Sequence, residues 1–265
     1  MLIIGELING MYKAAAKAIK EKDAAAIKEI ALKQVKAGAT ALDINCGPAS
    51  KDQVSDLPWL VETIQKATDA LLVLDSSKPA AIAAGLAVCK KPAMINSTTA
   101  DSEKMDALIP LAKKYNAKLI GLALSSKGIP RNKDERIELA AQIVQRCVEE
   151  GFPTSDLYLD PIVMPVNVSQ QQLVDILETI KDLKLIADPA AKTIVGLSNI
   201  SQGTKQRSII NRTFLVMALY QGLDAAIMDP LDTDLMDAMT TAELILNKDI
   251  YCESFLKGRR QKDRA

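Results

Sequence analysis

Short apolar runs that end abruptly in hydrogen-bonding side chains recur along this chain, and that recurrence restricts its fold more than any other feature. The clearest instance is Thr193 to Gln202, Thr-Ile-Val-Gly-Leu-Ser-Asn-Ile-Ser-Gln. Thr193, Ile194, Val195 and Leu197 suit a strand covered on both faces, and Ser198, Asn199, Ser201 and Gln202 follow at once with polar groups. Gly196 within the run marks a place where a ligand or another backbone comes close. Similar runs stand at Leu2 to Ile8, Ala41 to Cys46, Leu71 to Leu74, Ala93 to Ile95, Lys118 to Leu124, Leu157 to Leu159 and Ala225 to Met228.

Between the runs lie helical signals. Asp23 reads as an N-cap for a helix carrying Ile27, Ile30, Ala31 and Val35 on one face, with Gly38 as its stop. Further helices are expected around Lys13 to Lys20, near Leu60 and Ile64, and over Lys78 to Lys90, Ser102 to Tyr115, Glu135 to Glu150 and Thr233 to Leu246. Lys127 to Asp134 reads as a polar loop suited to a mobile segment over a site. Strands alternating with helices, with no linker or composition break, predict a single-domain (β/α)8 barrel over residues 1–265. In such barrels the loops after the strands form one mouth, so polar residues at strand ends converge there. Those residues are Glu6, Asn9, Asp43, Asn45, Asp75, Asn96, Asp160, Ser198, Asn199 and Asp229, with Arg207 on the loop beyond strand seven.

Composition removes several classes of function. Lysine plus arginine and aspartate plus glutamate both count 33, so no charge bias points to nucleic acid or a membrane surface. The basic stretch Lys257 to Arg264 reads as a solvated terminus. No apolar run is long enough for a bilayer, so a cytoplasmic protein is expected. Cys46, Cys89, Cys147 and Cys252 lack paired spacing and read as core thiols. The absence of histidine removes Ser-His-Asp and Cys-His devices and the commonest metal ligand.

The mouth inventory mixes carboxylates with amides. Aspartates could hold a divalent cation, but they lie on separate strands among amides that favour hydrogen-bond recognition. A ligand with alternating donors and acceptors, such as a pterin, fits better: its amino group and ring N–H offer two parallel donors to one carboxylate. Each residue has a plainer alternative. Asp75 and Asp160 could be ion-pair partners or loop caps, Asn96, Ser198 and Asn199 helix caps, and Arg207 a surface or subunit contact. Glu6 is as readily structural as functional.

Seven segments, in this order, carry a resemblance: Ile4-Gly-Glu-Leu-Ile-Asn9, Leu42-Asp-Ile-Asn-Cys-Gly-Pro48, Leu74-Asp-Ser76, Met94-Ile-Asn-Ser97, Leu159-Asp-Pro161, Gly196-Leu-Ser-Asn-Ile-Ser-Gln202 and Ile210-Asn-Arg-Thr-Phe214. The chain resembles, over nearly its full length, the methyltetrahydrofolate:corrinoid/iron–sulfur protein methyltransferases. They fall within the pterin-binding barrels that include the folate domain of cobalamin-dependent methionine synthase. Leu7 departs from the pattern, since many relatives have arginine there. The Ser-Arg-Lys segment of dihydropteroate synthases has no match after strand seven.

The resemblance implies transfer of the N5 methyl group of methyltetrahydrofolate to Co(I) of cobalamin or a related corrinoid. That corrinoid would be held by a corrinoid/iron–sulfur protein or related partner, in the reductive acetyl-CoA pathway. It also implies a homodimer, without a metal of its own. Asp75, Asn96 and Asp160 match the pterin-binding residues, and Gly196, Ser198, Gln202 and Arg207 line the folate site. Asn199 matches the residue nearest N5, and Asp43, Asn45 and Asp229 stand as candidates behind the direct contacts. The alternatives are transfer from a methylcorrinoid to tetrahydrofolate, as in methylamine or betaine demethylation, and folate binding without catalysis.

Overall fold

A computed structural model describes residues 1–253 and 255–256, so the basic stretch Lys257 to Arg264 lies outside the described residues. The strands are β1 (Leu2–Asn9), β2 (Ala41–Asn45), β3 (Leu71–Asp75), β4 (Met94–Thr99), β5 (Lys118–Leu122), β6 (Leu157–Asp160), β7 (Lys192–Gly196) and β8 (Ala225–Met228). All neighbours are parallel, and β1 closes on β8 with Leu2 opposite Ala225 and Gly5 opposite Met228. The helices are α1 (Lys13–Glu21), α2 (Ala24–Lys36), α3 (Gln53–Ile64), α4 (Pro79–Ala87), α5 (Ser102–Lys114), α6 (Lys133–Glu149), α7 (Val166–Ser169), α8 (Leu173–Asp182), α9 (Arg207–Tyr220) and α10 (Thr233–Ile245). This is the (β/α)8 barrel the alternation predicts, in one domain.

Local chemistry sets the helix ends. Asp23 accepts the N–H groups of Ala25 and Ala26, both at 3.0 Å, and Gly38 follows α2 at a φ of 102° that favours glycine. Asp52, Asn132 and Asp232 cap α3, α6 and α10 in the same way. Among the described residues no helix is long and apolar enough to cross a membrane.

Some expectations need correction. β4 runs on to Thr99, so Asn96 lies inside the strand. Arg207 is the first residue of α9, not a loop residue. Helix α8, between β6 and β7, has no counterpart in the sequence reading. Cys46 and Cys147 are buried, but Cys252 is exposed and is no core thiol. The loop after β5 lines a separate cleft between α5 and α6, where the Ser126 N–H donates to the Asp101 carboxylate at 2.9 Å.

The barrel interior is plugged by one side chain from each strand: Ile4, Ala41, Val73, Met94, Ile120, Tyr158, Ile194 and Ala225. This layer closes the barrel below the mouth and forms the floor of the site.

Candidate active site

Side chains alternate between the faces of a strand, so the residue two positions beyond each plug residue also points inward, one layer nearer the mouth. Those residues are Glu6, Asp43, Asp75, Asn96, Leu122, Asp160, Gly196 and Ile227, and every one lines a single cavity of about 320 Å³. Strand period and closure therefore converge five polar groups from five strands. Asn9, Tyr12, Ile162, Val163, Ser198 and Asn199 complete the wall. The volume falls at the lower end of the range for small-molecule sites.

On the β2–β4 side, amides hold the carboxylates in place. Asn96 Nδ2 donates to Asp43 Oδ1 at 3.0 Å, and Asn45 Nδ2 donates to Asp75 Oδ2 at 2.5 Å. The other end of the Asn45 amide accepts the Gly47 N–H at 2.5 Å, which fixes its orientation. Burial pushes the Asp43 carboxyl well above the usual range, and the neighbouring Asp75 charge pushes it further. Burial likewise raises Asp75 against the lowering effect of Asn45. Across the cavity, Asp160 receives the Ile162 N–H at 2.7 Å, yet burial still lifts its carboxyl to about 7. A cavity with several reluctant anions suits a ligand that brings donors.

The β1–β7 side is built differently. One oxygen of Glu6 accepts the Ser198 hydroxyl at 2.8 Å and the Tyr12 hydroxyl at 2.8 Å. Burial raises the Glu6 carboxyl, with those two hydroxyls opposing the rise. After β7 the chain turns through Leu197–Ser201, which brings exposed Asn199 back over Gly196. A Cβ at Gly196 would come within 2.9 Å of Asn199 Nδ2, so the glycine makes room for that amide.

Of the residues singled out from sequence, Asp75, Asn96, Asp160, Gly196, Ser198 and Asn199 come together in the wall. Asp43 is in the wall as well, not behind it. Asn45 stands behind Asp75, and Asp229 stands outside the cavity, accepting the Leu231 N–H at 2.9 Å. Gln202 and Arg207 are exposed and lie outside the cavity wall, and Arg207 bonds to Ser201 Oγ and the Ser198 carbonyl. Sequence reasoning missed Tyr12, which sits beyond β1 and carries no strand signal. The step of two from the apolar plug would have placed Glu6 and Asp43.

The family described as pterin binding enzyme matches residues 12–229. The methylcorrinoid:tetrahydrofolate methyltransferase of Eubacterium limosum is 32% identical over 263 residues, 98% of this chain and 97% of that protein. Methionine synthase of Mycobacterium tuberculosis is 26% identical over 241 residues, 86% of this chain but only 20% of that protein. Yersinia pestis dihydropteroate synthase in a sulfonamide drug complex superimposes with a TM-score of 0.70 at 17% identity, covering 94% of each chain, which is likeness of fold alone.

Proposed function

The chain belongs to the pterin-binding enzyme family, and from that premise we propose that it moves a methyl group between N5 of tetrahydrofolate and the cobalt of a corrinoid held by a partner protein. The single observation that carries this reading is the inward layer, in which Asp75, Asn96 and Asp160 face one cavity and Asn199 sits at its rim. A carboxylate takes the pterin amino group and ring N–H as two parallel donors, and the asparagine amide serves a neighbouring donor and acceptor. Those donors also relieve the buried charge.

The full-length relative is named for transfer from a methylcorrinoid to tetrahydrofolate, and we favour that direction here. The N5 lone pair takes the methyl group, cobalt keeps the bonding electron pair as Co(I), and the N5 proton leaves. The reverse reaction, into the acetyl-CoA pathway from methyltetrahydrofolate and Co(I), uses the same groups in opposite order. In either direction the Asn199 amide oxygen accepts the N5–H and strengthens that bond as positive charge develops on N5.

Gly196→Ala tests the placement of Asn199. The φ of −78° is open to alanine, and the Asn199 amide can swing away, so the variant folds with a near-normal melting temperature. The displaced amide lowers methyl transfer about 10-fold. A full rate with a normal fold would contradict the role.

The homodimer we propose buries the apolar face between α8, α9 and α10, where Tyr220 and Ile245 are 76% and 78% exposed and Met217 and Val216 lie beside them. Ile245→Lys then shifts the sedimenting species from dimer to monomer. An unchanged dimer would contradict this face.

A further inference from the structure

Arg136 is a fully buried cation that the chemistry above does not use. It lies in the first turns of α6 and, among the described residues, makes no ion pair with a carboxylate; its hydrogen-bond partners are uncharged acceptors. Nε donates to the Pro161 carbonyl at 2.9 Å, Nη1 to the Asn132 carbonyl at 3.0 Å, and Nη2 to Gln172 Oε1 at 2.7 Å. The guanidinium thus ties together the start of α6, the exit of β6 and the approach to α8.

The bond to Pro161 has a second end. The Pro161 carbonyl and the Ile162 N–H belong to one peptide unit, and that N–H donates to Asp160 Oδ1 at 2.7 Å. A buried cation and a cavity carboxylate therefore grip opposite ends of the same peptide. Ile162 is held there at a φ of 64°, a conformation that a β-branched residue adopts only when its surroundings impose it. Drawing on the carbonyl makes the peptide N–H a stronger donor, which favours the charged carboxylate and fixes its direction.

We propose that Arg136 is a positioning residue that acts on Asp160 through the Pro161–Ile162 peptide, setting the orientation of that carboxylate and the pH at which it ionises. The charged and titratable groups around this unit are few. Glu135 and Asp175 act on Arg136 from α6 and α8, and Glu6, Asp43 and Asp75 face Asp160 across the cavity. The adjoining residues 121–123, at and just past the end of β5, and 195–197, at and just past the end of β7, bring no titratable side chain. Arg136 is thus the cation linked to Asp160 by a hydrogen-bonded path.

The role of Asp160 as a pterin ligand rests on the proposed function, but its coupling to Arg136 does not, so the test begins with ligand-free protein. In a pH titration followed by NMR, the Ile162 amide and the Arg136 Nε–H move with one common midpoint. Arg136→Gln raises the Ile162 midpoint by about one pH unit, and Arg136→Lys, which keeps the cation, restores most of the difference. Methyltetrahydrofolate binding by Arg136→Gln at pH 7 falls about fivefold and recovers at higher pH. A purely structural residue would weaken binding equally at every pH. An Arg136 Nε–H that stays still while Ile162 titrates would overturn the proposal in the wild-type protein alone, even if the glutamine variant fails to fold. An unchanged midpoint in Arg136→Gln would overturn it too. Normal coupling without folate binding would remove the pterin reading and leave the coupling standing.

Discussion

In single turnover, Asn199→Ala lowers methyl transfer roughly 10- to 1,000-fold, the loss expected when a group that stabilises developing charge is removed. Affinity for methyltetrahydrofolate stays within about threefold, because the bond to N5 gains most of its strength only as charge appears there. The geometry favours this separation of rate from binding. Asn199 is exposed on the turn after β7, whereas the carboxylates that would hold the pterin sit deeper, on the inward layer of the strands. Its removal leaves Asp75 with Asn45, Asp43 with Asn96 and Asp160 with Ile162 untouched. A near-normal single-turnover rate would remove Asn199 from the chemistry, and a rate loss matched by an equal loss of affinity would make it a binding residue.

Asp160→Asn has the second large effect, and it acts in opposite directions on binding and stability. Replacing a carboxylate by an amide exchanges one acceptor oxygen for a donor nitrogen that faces the pterin donors, so methyltetrahydrofolate affinity falls about 100-fold. The empty protein becomes more stable. Burial lifts the Asp160 carboxyl to about 7 in the folded chain, against about 4 in an unfolded one. Between those values the native state binds more protons than the unfolded state, so stability declines as pH rises through that window. Below about pH 4 both states are protonated and the penalty is absent; above about pH 7 it is fully present. The amide cannot ionise, and the variant is therefore more stable than wild type at pH 8, by up to about 4 kcal/mol, with the difference vanishing near pH 4. A stability gain that is the same at both pH values would show that ionisation of Asp160 is not its cause.

The barrel was legible because its signal repeats. Each strand is short, apolar and closed by polar residues, and Asp23 and Gly38 mark the ends of α2 by local chemistry alone. Asp75 and Asp160 stood out because they terminate strands, whereas Asp43 precedes Ile44 and Asn45 and was placed a layer too far back. Only the register with Ala41 in the plug shows that Asp43 points inward. α8 was illegible because Pro165 and the turn Gln170–Gln172 break its lead-in into short pieces. Arg136 was invisible for another reason: its partners are backbone carbonyls and Gln172, which carry no charge pattern in sequence. Gln202 ends a matching segment and Arg207 lies between two of them, but the turn after β7 carries both outside the cavity wall.

Methyl transfer at this mouth shows on anaerobic mixing of the protein with methyltetrahydrofolate and Co(I) cobalamin. Absorbance reports the methylcobalamin formed, and reversibility makes the assay informative for either physiological direction. Methylcobalamin forms only with the protein present, and Asn199→Ala suppresses it. Methyltetrahydrofolate bound in the cavity without transfer to free Co(I) cobalamin, or to any Co(I) corrinoid protein supplied with it, would contradict the claim and leave a folate-binding protein.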